Sequence, residues 1–567
     1  MTGNPAVSKI RSLAASRPMR LGVIVALHLA ALVSMWQTEF EPLYQVLFLL
    51  TWALFNLLFL ILLRRPAISA ALSLALIQII IVLSEFKFSI LWMTINFFDV
   101  LIIDPDTFAF LLGIFPSLRV TLLMAGALAI PLIVLLWRLD PFRVPRSLAA
   151  LGAVVCIGGI IVLSLWRPER PWEPFQGVNH VSGFARSGVL SVSGLIEHGW
   201  MESDEVTTDR LRATPNDPCA PAGKLPNIVL VLDEASFDIS EVPGIKVPPD
   251  YRRHFQSFDG QMRTFLVEGS GGPTWYTEYN VLTGLSARSF GRFMYYVTRL
   301  AAGRVERGLP HALRRCGYKT FTLYPAYGAF LSARRFQQSA GVQHLLDSKQ
   351  MGMADLEPDS FFYDQAVKLI ARERDNAPLF VFAYTVANHF PWDQPYRPDL
   401  TPGWQPPGNT PEVDEYIRRQ TMSARDYQEF VTRLKRDFPG EPFLIVRFGD
   451  HQPALAAHIV DPTLKPTEIA QRVRANDPRY YTTYYAIDAI NFTPVDLRSA
   501  RDPLDAAYLP LAIQEAAGVP LDPSFAEQKK IMQRCQGLFY LCSGGAEARR
   551  FNRLLIDAGL IKGRLSR

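Results

Sequence analysis

Five long apolar segments in the first third of the chain constrain its fold more than any other feature. They are Leu21–Trp36, Leu43–Leu63, Ile68–Leu83, Thr121–Trp137 and Leu148–Trp166. A helix that crosses the hydrocarbon core of a bilayer needs about 20 mainly apolar residues, and about 17 suffice. The sequence therefore predicts a membrane anchor of five helices over residues 1–166. The first segment has no small-residue cleavage site and more segments follow it, so we do not interpret it as a removable signal peptide.

The charges between these segments predict the orientation of the anchor. Basic residues precede the first segment and follow the second and fourth, whereas the loops after the first and third are acidic. Basic loops stay on the cytoplasmic side, so five spans place everything after Trp166 outside. The apolar stretch 86–119 is interrupted by Asp99, Asp104 and Pro116, and we interpret it as amphipathic and lying on the outer membrane surface. A sixth span there is the alternative, and it would place the soluble part in the cytoplasm, against the charge bias.

Composition and cysteines agree with an anchor followed by an extracytoplasmic domain. The net charge of +5 is small for 567 residues, and no basic stripe interleaved with aromatics is present, so we expect no nucleic-acid partner. Four cysteines follow the anchor, and four allow three connectivities. The simplest pairs Cys219 with Cys316 and Cys535 with Cys542. Disulfides persist in oxidising compartments. Cys156 lies in an apolar segment and is expected to be inert.

The remainder of the chain predicts a connector and an α/β domain. Residues 167–225 are rich in Pro, Gly, Ser and charge, with a helix near Gly188–Trp200, and residues 226–567 form the domain. Predicted strands are Asn227–Leu232, Tyr318–Tyr324, Leu379–Val386, Phe443–Phe448 and Tyr481–Ile487, and predicted helices are Asp359–Arg374, Ser423–Asp437, Leu504–Ala517 and Pro523–Cys535. Alternating strands and helices predict a mostly parallel sheet with helices on both faces. Ligands bind such sheets at the carboxyl ends of the strands.

A glycine-rich stretch from Gly269 to Gly284 contains the first candidate site residue. Its small residues let the backbone approach a ligand, and a helical pattern begins after Pro273 and runs to about Leu282. Thr274 would begin that helix, where free N–H groups and the helix dipole attract anions. A hydroxyl held there beside a metal ion could attack phosphorus. The alternative is a helix N-cap without further function.

Polar residues also follow three of the predicted strands. Glu234 follows the first, His389 follows the third, and the pair Asp450-His451 follows the fourth. Together with the Thr274 hydroxyl, they could hold one divalent ion, Zn²⁺ or Mn²⁺, with Mg²⁺ as a further possibility. Each has an ordinary explanation on its own, such as a capping turn, an exposed carboxylate or a packed histidine. Their common position at one edge of one sheet favours a shared site.

The order of these motifs resembles the alkaline phosphatase/sulfatase superfamily, and within it the lipoteichoic acid synthase-like membrane phosphoglycerol transferases. The resemblance rests on Asn-Ile-Val-Leu-Val-Leu-x-Glu, Gly-x-Thr-x-x-x-Glu-Tyr, Asn-His-Phe-Pro and Phe-Gly-Asp-His, and it covers residues 226–452. It implies a sulfatase-like catalytic domain over residues 226–567. The metal ligands that it implies are Glu234, Thr274, Asp450 and His451. Asp233 is the alternative to Glu234, because the direction of each side chain decides which binds the metal.

The resemblance also implies roles in catalysis and substrate binding. Thr274 matches the nucleophile that becomes phosphorylated, and His389 matches a histidine that contacts the phosphoryl group and helps the leaving group depart. A substrate-binding arginine matches Arg334 or Arg335, although the tryptophan that the family has there is missing. The implied reaction moves phosphoglycerol from a membrane phospholipid, phosphatidylglycerol, through phosphothreonine to a hydroxyl of a cell-envelope glycan or lipid. The implied location is the inner (cytoplasmic) membrane of a bacterium, with the catalytic domain periplasmic or extracellular, and the expected disulfides favour a periplasm.

Three other functions compete with this interpretation. A phosphoethanolamine transferase shares the metal chemistry. A lipid-sensing membrane protein could keep the fold without the reaction, but every implied ligand position is filled. A sulfatase needs a Cys/Ser-x-Pro-x-Arg motif for conversion to formylglycine, and the segment beginning at Cys219, Cys-Ala-Pro-Ala-Gly, lacks the arginine.

Overall fold

The computed structural model describes residues 17–91, 93–102, 112, 116–167, 169, 173–197, 199–203, 210–211, 219–221, 223–374 and 377–563. They form two compact units, Met1–Ser193 with Pro466–Arg474, and Gly194–Lys465 with Ala475–Arg567. The helices are α1 Arg17–Thr38, α2 Pro42–Leu63, α3 Pro66–Leu91, α4 Asp99–Ile102, α5 Pro116–Leu139, α6 Arg146–Trp166, α7 His180–Glu197, α8 Thr274–Thr283, α9 Val297–Ala301, α10 Leu309–Arg315, α11 Ala333–Ser339, α12 Ser348–Met351, α13 Asp359–Glu373, α14 Pro411–Asp437, α15 Ala454–Val460, α16 Pro466–Arg474, α17 Leu509–Ala517, α18 Pro523–Arg534 and α19 Ala546–Asp557. The strands are β1 Asn227–Asp233, β2 Arg263–Leu266, β3 Lys319–Leu323, β4 His344–Leu346, β5 Leu379–Tyr384, β6 Phe443–Gly449, β7 Thr482–Ile490 and β8 Leu504–Asp505.

The first unit contains all five predicted apolar segments, each inside a helix. Among the described residues, α1, α2, α3 and α6 are long and apolar enough to cross a membrane. The remaining segment lies in α5, whose 24 residues extend about 36 Å at 1.5 Å per residue. Its apolar part, Leu122–Arg138, is shorter than the other four spans. Four spans are therefore clear from length and composition, and α5 lies at the lower limit for a fifth.

Two of these helices approach closely because one carries glycines where the other carries leucines. A Cβ atom at Gly152 of α6 would lie 3.1 Å from a methyl group of Leu57 on α2, and one at Gly159 would lie 3.0 Å from Leu50. Small residues allow such close packing between apolar helices. Packing of this kind stabilises the anchor without polar contacts.

The stretch 86–119 is divided among several elements. Residues 86–91 continue α3, α4 follows, and residues 116–119 begin α5. Lys87 near the end of α3 binds Asp99 with a 2.8 Å ion pair, which ties α4 back to α3. Residues 103–111 and 113–115 lie outside the described residues. The interfacial position of this stretch stays a prediction.

The second unit contains one eight-stranded sheet in the order β4-β3-β5-β1-β6-β7-β2-β8. β1 lies between β5 and β6 and pairs in parallel with both. β7 runs antiparallel to its neighbours β6 and β2, so the other seven strands share one direction. The prediction of a mostly parallel sheet is confirmed. The strand ends that carry the candidate site residues therefore meet at the same edge.

The strands are buried because their sequences are apolar on both sides. All residues of β1, β5 and β6 are buried. Phe362 and Ile370 of α13 and Phe430 of α14 join Val229 and Val231 of β1 in one core cluster. α17 packs against β6 and also contacts α8. Helices thus flank the sheet, as predicted.

Several element boundaries differ from the prediction. The helix predicted from Ser423 begins at Pro411, and the helix predicted from Leu504 begins at Leu509 because Leu504 and Asp505 pair with β2. The short strands β2 and β4 were not predicted. Both predicted disulfides, Cys219–Cys316 and Cys535–Cys542, are confirmed, and Cys156 is free and buried.

Candidate active site

Three chain segments bring polar side chains together at the carboxyl edge of the sheet. Asp233 of β1 pairs with Gly449 of β6, so Glu234 and Asp450 follow neighbouring positions of adjacent strands. Thr274 begins α8 after the loop that leaves β2. Because β2 shares the direction of β1 and β6, this loop starts at the same edge. The unpredicted strand β2 thus accounts for the position of Thr274.

The side chains of Glu234, Thr274, Asp450 and His451 form one compact cluster. The Thr274 hydroxyl lies 3.4 Å from Glu234 Oε2 and 3.4 Å from His451 Nε2. His451 Nε2 lies 3.6 Å from Glu234 Oε1 and 3.3 Å from Asp450 Oδ2. Glu234, Asp450 and His451 each offer one atom that could bind a metal ion, and these three atoms lie within 4.8 Å of one another. This spacing suits convergence on one ion.

The hydrogen bonds of His451 direct a lone pair into the cluster. Its Nδ1 lies 2.9 Å from the carbonyl oxygen of Gln452, which can only accept, so Nδ1 carries the proton. Nε2 is the ring nitrogen that faces the carboxylates, and in the neutral ring it offers a lone pair. Metal-binding histidines are commonly fixed in this way by a hydrogen bond from the second ring nitrogen.

The carboxylates of Glu234 and Asp450 are buried close together, so their negative charges repel each other unless a cation compensates them. Glu234 and Asp450 are 6% and 0% exposed. Burial and the charge of Asp450 raise the pKa of Glu234 well above its usual value, and burial also raises the pKa of Asp450. Asp450 Oδ2 is buried and accepts no hydrogen bond from any residue that the structure describes. Three oxygens and one imidazole nitrogen, with one oxygen unsatisfied, fit a site for Zn²⁺ or Mn²⁺.

The turn after β1 is shaped to complete this cluster. Ala235 has a left-handed φ of 50°, which is unfavourable for a residue with a Cβ atom. In that conformation its N–H donates to Asp450 Oδ1 at 2.9 Å and its carbonyl accepts from the Tyr416 hydroxyl at 2.9 Å. Gly449 allows the turn to approach β6, because a Cβ there would lie 1.8 Å from the Ser236 carbonyl oxygen. Backbone strain of this kind is typical of functional sites.

Asp233 faces away from the cluster. Its carboxylate accepts hydrogen bonds from His254 Nε2 at 2.7 Å and from the Tyr484 hydroxyl at 2.6 Å. Burial alone would raise the pKa of Asp233, but His254, Tyr484 and the charge of Arg447 outweigh it and lower the pKa. The structure therefore places Glu234, and not Asp233, in the cluster. Whether Glu234 binds metal stays a prediction.

Thr274 is the first residue of α8, and the N-cap position is occupied by Pro273. The hydroxyl makes no capping hydrogen bond and lies instead beside Glu234 and His451. The simple N-cap alternative therefore does not describe this residue. Thr274 is partly exposed, so a substrate can reach it.

His389 lies at the rim of the site in a loop that follows β5. Its Nδ1 lies 2.8 Å from the Phe390 carbonyl oxygen, so Nδ1 carries the proton and Nε2 is free to accept one. Burial, together with the charges of His451 and Arg419, lowers the pKa of His389 to about 4. The imidazole is therefore neutral at neutral pH when no anion is bound.

Arg334 is not part of the cluster. Its guanidinium donates to Asp347 Oδ2 at 2.6 Å and to the Leu345 carbonyl at 2.7 Å. These contacts tie α11 to the chain that follows β4. Arg335 is exposed. Substrate binding by either arginine stays a prediction.

Sequence reasoning missed the N-terminal part of α14, residues 411–422, which holds the site loops. The first turns of α14 carry Tyr416, which binds the Ala235 carbonyl, and Gln420, which donates to the Ser236 hydroxyl at 2.6 Å. Arg419 of the same helix binds the loop of His389. The signal was present: Thr410 and Pro411 form an N-cap and first-turn proline, and Glu412 follows in the first turn.

Comparison with known proteins identifies the class of this domain. Residues 226–477 match the Sulfatase family model. This range contains β1–β6 and every residue of the cluster. The chain therefore contains a sulfatase-family domain.

Two curated relatives have names that are more specific than the family description, but their sequence identity to the chain is low. The chain is 24% identical over 358 residues to the "Putative cyclic beta-1,2-glucan modification protein" of Rhizobium meliloti, an alignment that covers 60% of this chain and 51% of the relative. It is 22% identical over 281 residues to the lipoteichoic acid synthase of Staphylococcus saprophyticus, covering 47% of this chain and 42% of the relative. The chain thus spans about half the length of the curated relatives that it matches.

Solved structures with similarity to the chain include two transferases. The Streptococcus pyogenes phosphoglycerol transferase GacH, in complex with sn-glycerol-1-phosphate, matches with a TM-score of 0.45 and 16% identity, covering 60% of this chain and 87% of that chain. The lipooligosaccharide phosphoethanolamine transferase A of Neisseria meningitidis matches with a TM-score of 0.45 and 11% identity, covering 84% of this chain and 95% of that chain. Both scores are low.

Proposed function

We propose that this protein is a metal-dependent phosphotransferase that moves phosphoglycerol from phosphatidylglycerol to a hydroxyl of a cell-envelope glycan or lipid. The observation that carries the proposal is the position of the Thr274 hydroxyl, which does not cap its helix and lies beside two buried carboxylates and His451. The sulfatase-family match and the names of the two curated relatives support it. Those names concern a glucan, whose sugar units carry hydroxyl groups, and lipoteichoic acid.

The proposed metal ligands are Glu234, Thr274, Asp450 and His451. A divalent ion held there would lower the pKa of the threonine hydroxyl and neutralise charge on a phosphoryl oxygen. The chain's own residues set the geometry: Ala235 and Gly449 bring the turn after β1 against β6, and His451 presents Nε2 to the cluster.

The reaction is a double displacement. In the first step the Thr274 oxygen forms a bond to phosphorus, the bond from phosphorus to the diacylglycerol oxygen breaks, and the threonine proton ends on diacylglycerol. In the second step the acceptor oxygen displaces Thr274, which recovers a proton from the acceptor hydroxyl. We propose that His389 contacts the phosphoryl group and transfers these protons, since its neutral ring leaves Nε2 free to accept one.

The anchor gives the reaction a physical setting. It keeps the domain at the bilayer that contains the lipid donor. With five spans, α5 included, the charge bias supports an extracytoplasmic position of the domain, and we propose that the anchor lies in the inner membrane of a bacterium. Two disulfides in the domain agree with an oxidising compartment.

Mass spectrometry of the detergent-purified full chain tests the proposal. After incubation with Mn²⁺ and phosphatidylglycerol, we expect a phosphoglycerol adduct on Thr274. Thr274→Ser, which keeps a hydroxyl, should carry the adduct on serine, whereas Thr274→Ala should carry none. An adduct only from phosphatidylethanolamine would establish the phosphoethanolamine transferase instead. No adduct from either lipid would contradict both transferases and favour a lipid-sensing protein.

A further inference from the structure

The loop that carries His389 has few contacts of its own and is held by a neighbouring helix. This loop, residues 386–394, follows β5 and contains no regular helix or strand. The ring of His389 at its centre makes one hydrogen bond to the residues that the structure describes, from Nδ1 to the carbonyl of the next residue. The direction of its ring therefore depends on what fixes the main chain of the loop.

One buried guanidinium fixes most of that main chain. Arg419 of α14 is 2% exposed. Its Nη1 donates to the His389 carbonyl at 2.7 Å, and its Nη2 donates to the carbonyls of Pro391 at 2.7 Å and Gln394 at 2.9 Å. Its Nε donates to Glu415 Oε1 at 2.6 Å, which sets the plane of the guanidinium. Only arginine offers several donors in one rigid fork.

The opposite side of the loop is held by an acceptor. Asp359 at the start of α13 is 1% exposed, and its Oδ1 accepts from the N–H groups of Val386 at 3.0 Å and Ala387 at 2.9 Å. The loop is thus held by a carboxylate on its N–H groups and a guanidinium on its carbonyls. The same helix that supplies Arg419 binds Ala235 beside Glu234 through Tyr416. Helix α14 therefore sets the loop of His389 relative to the cluster.

We propose that Arg419 is a positioning residue that directs the His389 ring toward the phosphoryl group through the three carbonyls it binds. The inference rests on the proposed phosphotransfer and adds a residue that touches neither substrate nor metal. Displacing a reacting group by about 1 Å can slow a reaction about 10²-fold. A lysine at 419 keeps the charge but cannot donate to three separated carbonyls and to Glu415 at once.

The chain offers a matched control in the adjacent residue. Arg418 shares Glu415 as an ion-pair partner, at 2.7 Å, and is also buried at 4% exposure. Its other hydrogen bonds reach Tyr396 and Thr401, and none reaches residues 386–394 in the part of the chain that the structure describes. Arg418→Lys therefore tests loss of a buried guanidinium without loss of the loop contacts.

The test measures the single-turnover rate of adduct formation on Thr274 for Arg419→Lys and Arg418→Lys, each in the full chain and in a His389→Ala background. We expect Arg419→Lys to lower the rate about 30-fold with the KM for lipid unchanged, and Arg418→Lys to lower it less than about threefold. In the His389→Ala background Arg419→Lys should change the rate less than about twofold, because a residue that acts through His389 has nothing left to position.

Each other outcome is decisive. Three results would overturn the inference and leave the proposed phosphotransfer intact. Arg419→Lys could lower the rate equally in both backgrounds, it could leave the rate unchanged, or Arg418→Lys could lower the rate as much as Arg419→Lys does. If Arg419→Lys shows no thermal unfolding transition, Arg419→Gln takes its place. Should neither variant fold while Arg418→Lys and His389→Ala do, Arg419 is a residue of the fold and the inference fails. A wild-type chain that forms no adduct overturns the proposed function and this inference with it.

Discussion

Asp233 and Glu234 are neighbours at the end of β1, and both are buried, yet their surroundings are opposite. Asp233 accepts hydrogen bonds from His254 and Tyr484, and Arg447 supplies a buried positive charge behind His254. Glu234 has the Thr274 hydroxyl, the carboxylate of Asp450 and the imidazole of His451 as neighbours. The pKa of Asp233 is lowered, and the pKa of Glu234 is raised.

The difference between Asp233 and Glu234 shows which buried carboxylate lacks compensating groups from the chain itself. Desolvation disfavours the charged form of both carboxylates. His254, Tyr484 and Arg447 outweigh it for Asp233, whereas the Thr274 hydroxyl does not outweigh it for Glu234. Glu234 shares its pocket with Asp450, which has an unsatisfied buried oxygen. A region that is stable without a ligand and a region that lacks a cation thus lie one residue apart. Natural proteins concentrate such local conflicts at functional sites.

The largest expected effect is on activity, from Glu234→Gln. Loss of a charged group that organises the transition state should slow adduct formation on Thr274 about 10³-fold. Without metal, the variant should be at least as stable as the wild type, because the repulsion with Asp450 disappears. Single-turnover mass spectrometry and thermal unfolding in detergent measure the two quantities. A variant that keeps its rate would show that Glu234 is not part of the site.

Asp233→Asn should have the opposite effects to Glu234→Gln: it should lower stability and keep most of the metal affinity. The neutral amide is a weaker acceptor for the buried His254 and Tyr484 donors, while Arg447 keeps its ion pair with Asp488 at 3.4 Å, so the expected loss of stability is about 3 kcal/mol. Urea unfolding of the full chain in detergent, followed by tryptophan fluorescence, measures this loss. The folded fraction should keep most of its metal affinity. Equal loss of metal affinity in Asp233→Asn and Glu234→Gln would erase the contrast between the two carboxylates.

A third buried carboxylate tests what burial does outside the metal cluster. Glu278 lies one turn after Thr274 on α8 and accepts a hydrogen bond from Gln337 at 2.8 Å. Burial raises the pKa of Glu278 to about 7. Between about pH 4.3 and that value the folded chain holds a proton that the unfolded chain has released. This contribution to stability is therefore complete below about pH 4.3 and is lost as pH rises toward neutrality.

The expected loss between these pH values is about 3 kcal/mol, and it should be absent in Glu278→Gln. Urea unfolding across this range measures it. Glu429→Gln on the exposed side of α14 is the control and should leave the slope unchanged. A Glu278→Gln variant with the wild-type pH slope would contradict the raised pKa.

Metal addition should stabilise only the region that contains Glu234. Mn²⁺ at about a hundredfold excess over its Kd, determined by calorimetry, should raise the free energy of unfolding by about 2.7 kcal/mol. The same Mn²⁺ concentration should leave Glu234→Gln unchanged and should raise the stability of Asp233→Asn from its lower starting value. Stabilisation of Glu234→Gln by the wild-type amount would place the ion elsewhere.

The smallest expected effect is from Ala235→Gly, between the two regions. Glycine removes the strain of the left-handed φ at this position, which should stabilise the metal-free chain by about 1 kcal/mol. Because glycine also frees the turn that orients Glu234, metal affinity should fall slightly. Urea unfolding and calorimetry measure the two effects. A less stable Ala235→Gly variant would show that the turn is not strained.

The sequence alone determined the apolar segments, the central strands and the motifs at their ends. Long apolar runs have few alternatives to a membrane helix, and an apolar β-branched run such as Asn227–Leu232 has few alternatives to a buried strand. The positions of Glu234, Asp450 and His451 at one edge followed from the shared direction of parallel strands, whereas the position of Thr274 depends on the unpredicted strand β2. The pairing of four cysteines was predicted from sequence proximity, and the structure confirms it.

Only the tertiary structure decided which neighbouring side chains face the site. Adjacent residues point in different directions, but whether Asp233 or Glu234 turns toward Asp450 depends on His254 and Tyr484, which are distant in sequence. The strand β2 has four residues, and pairing with β7 and β8 defines it more than its own pattern does. From the sequence, Arg419 would be interpreted as an exposed charge on a helix, and only the structure shows that the loop of His389 covers it. These features depend on contacts between distant segments, and no local pattern encodes such contacts.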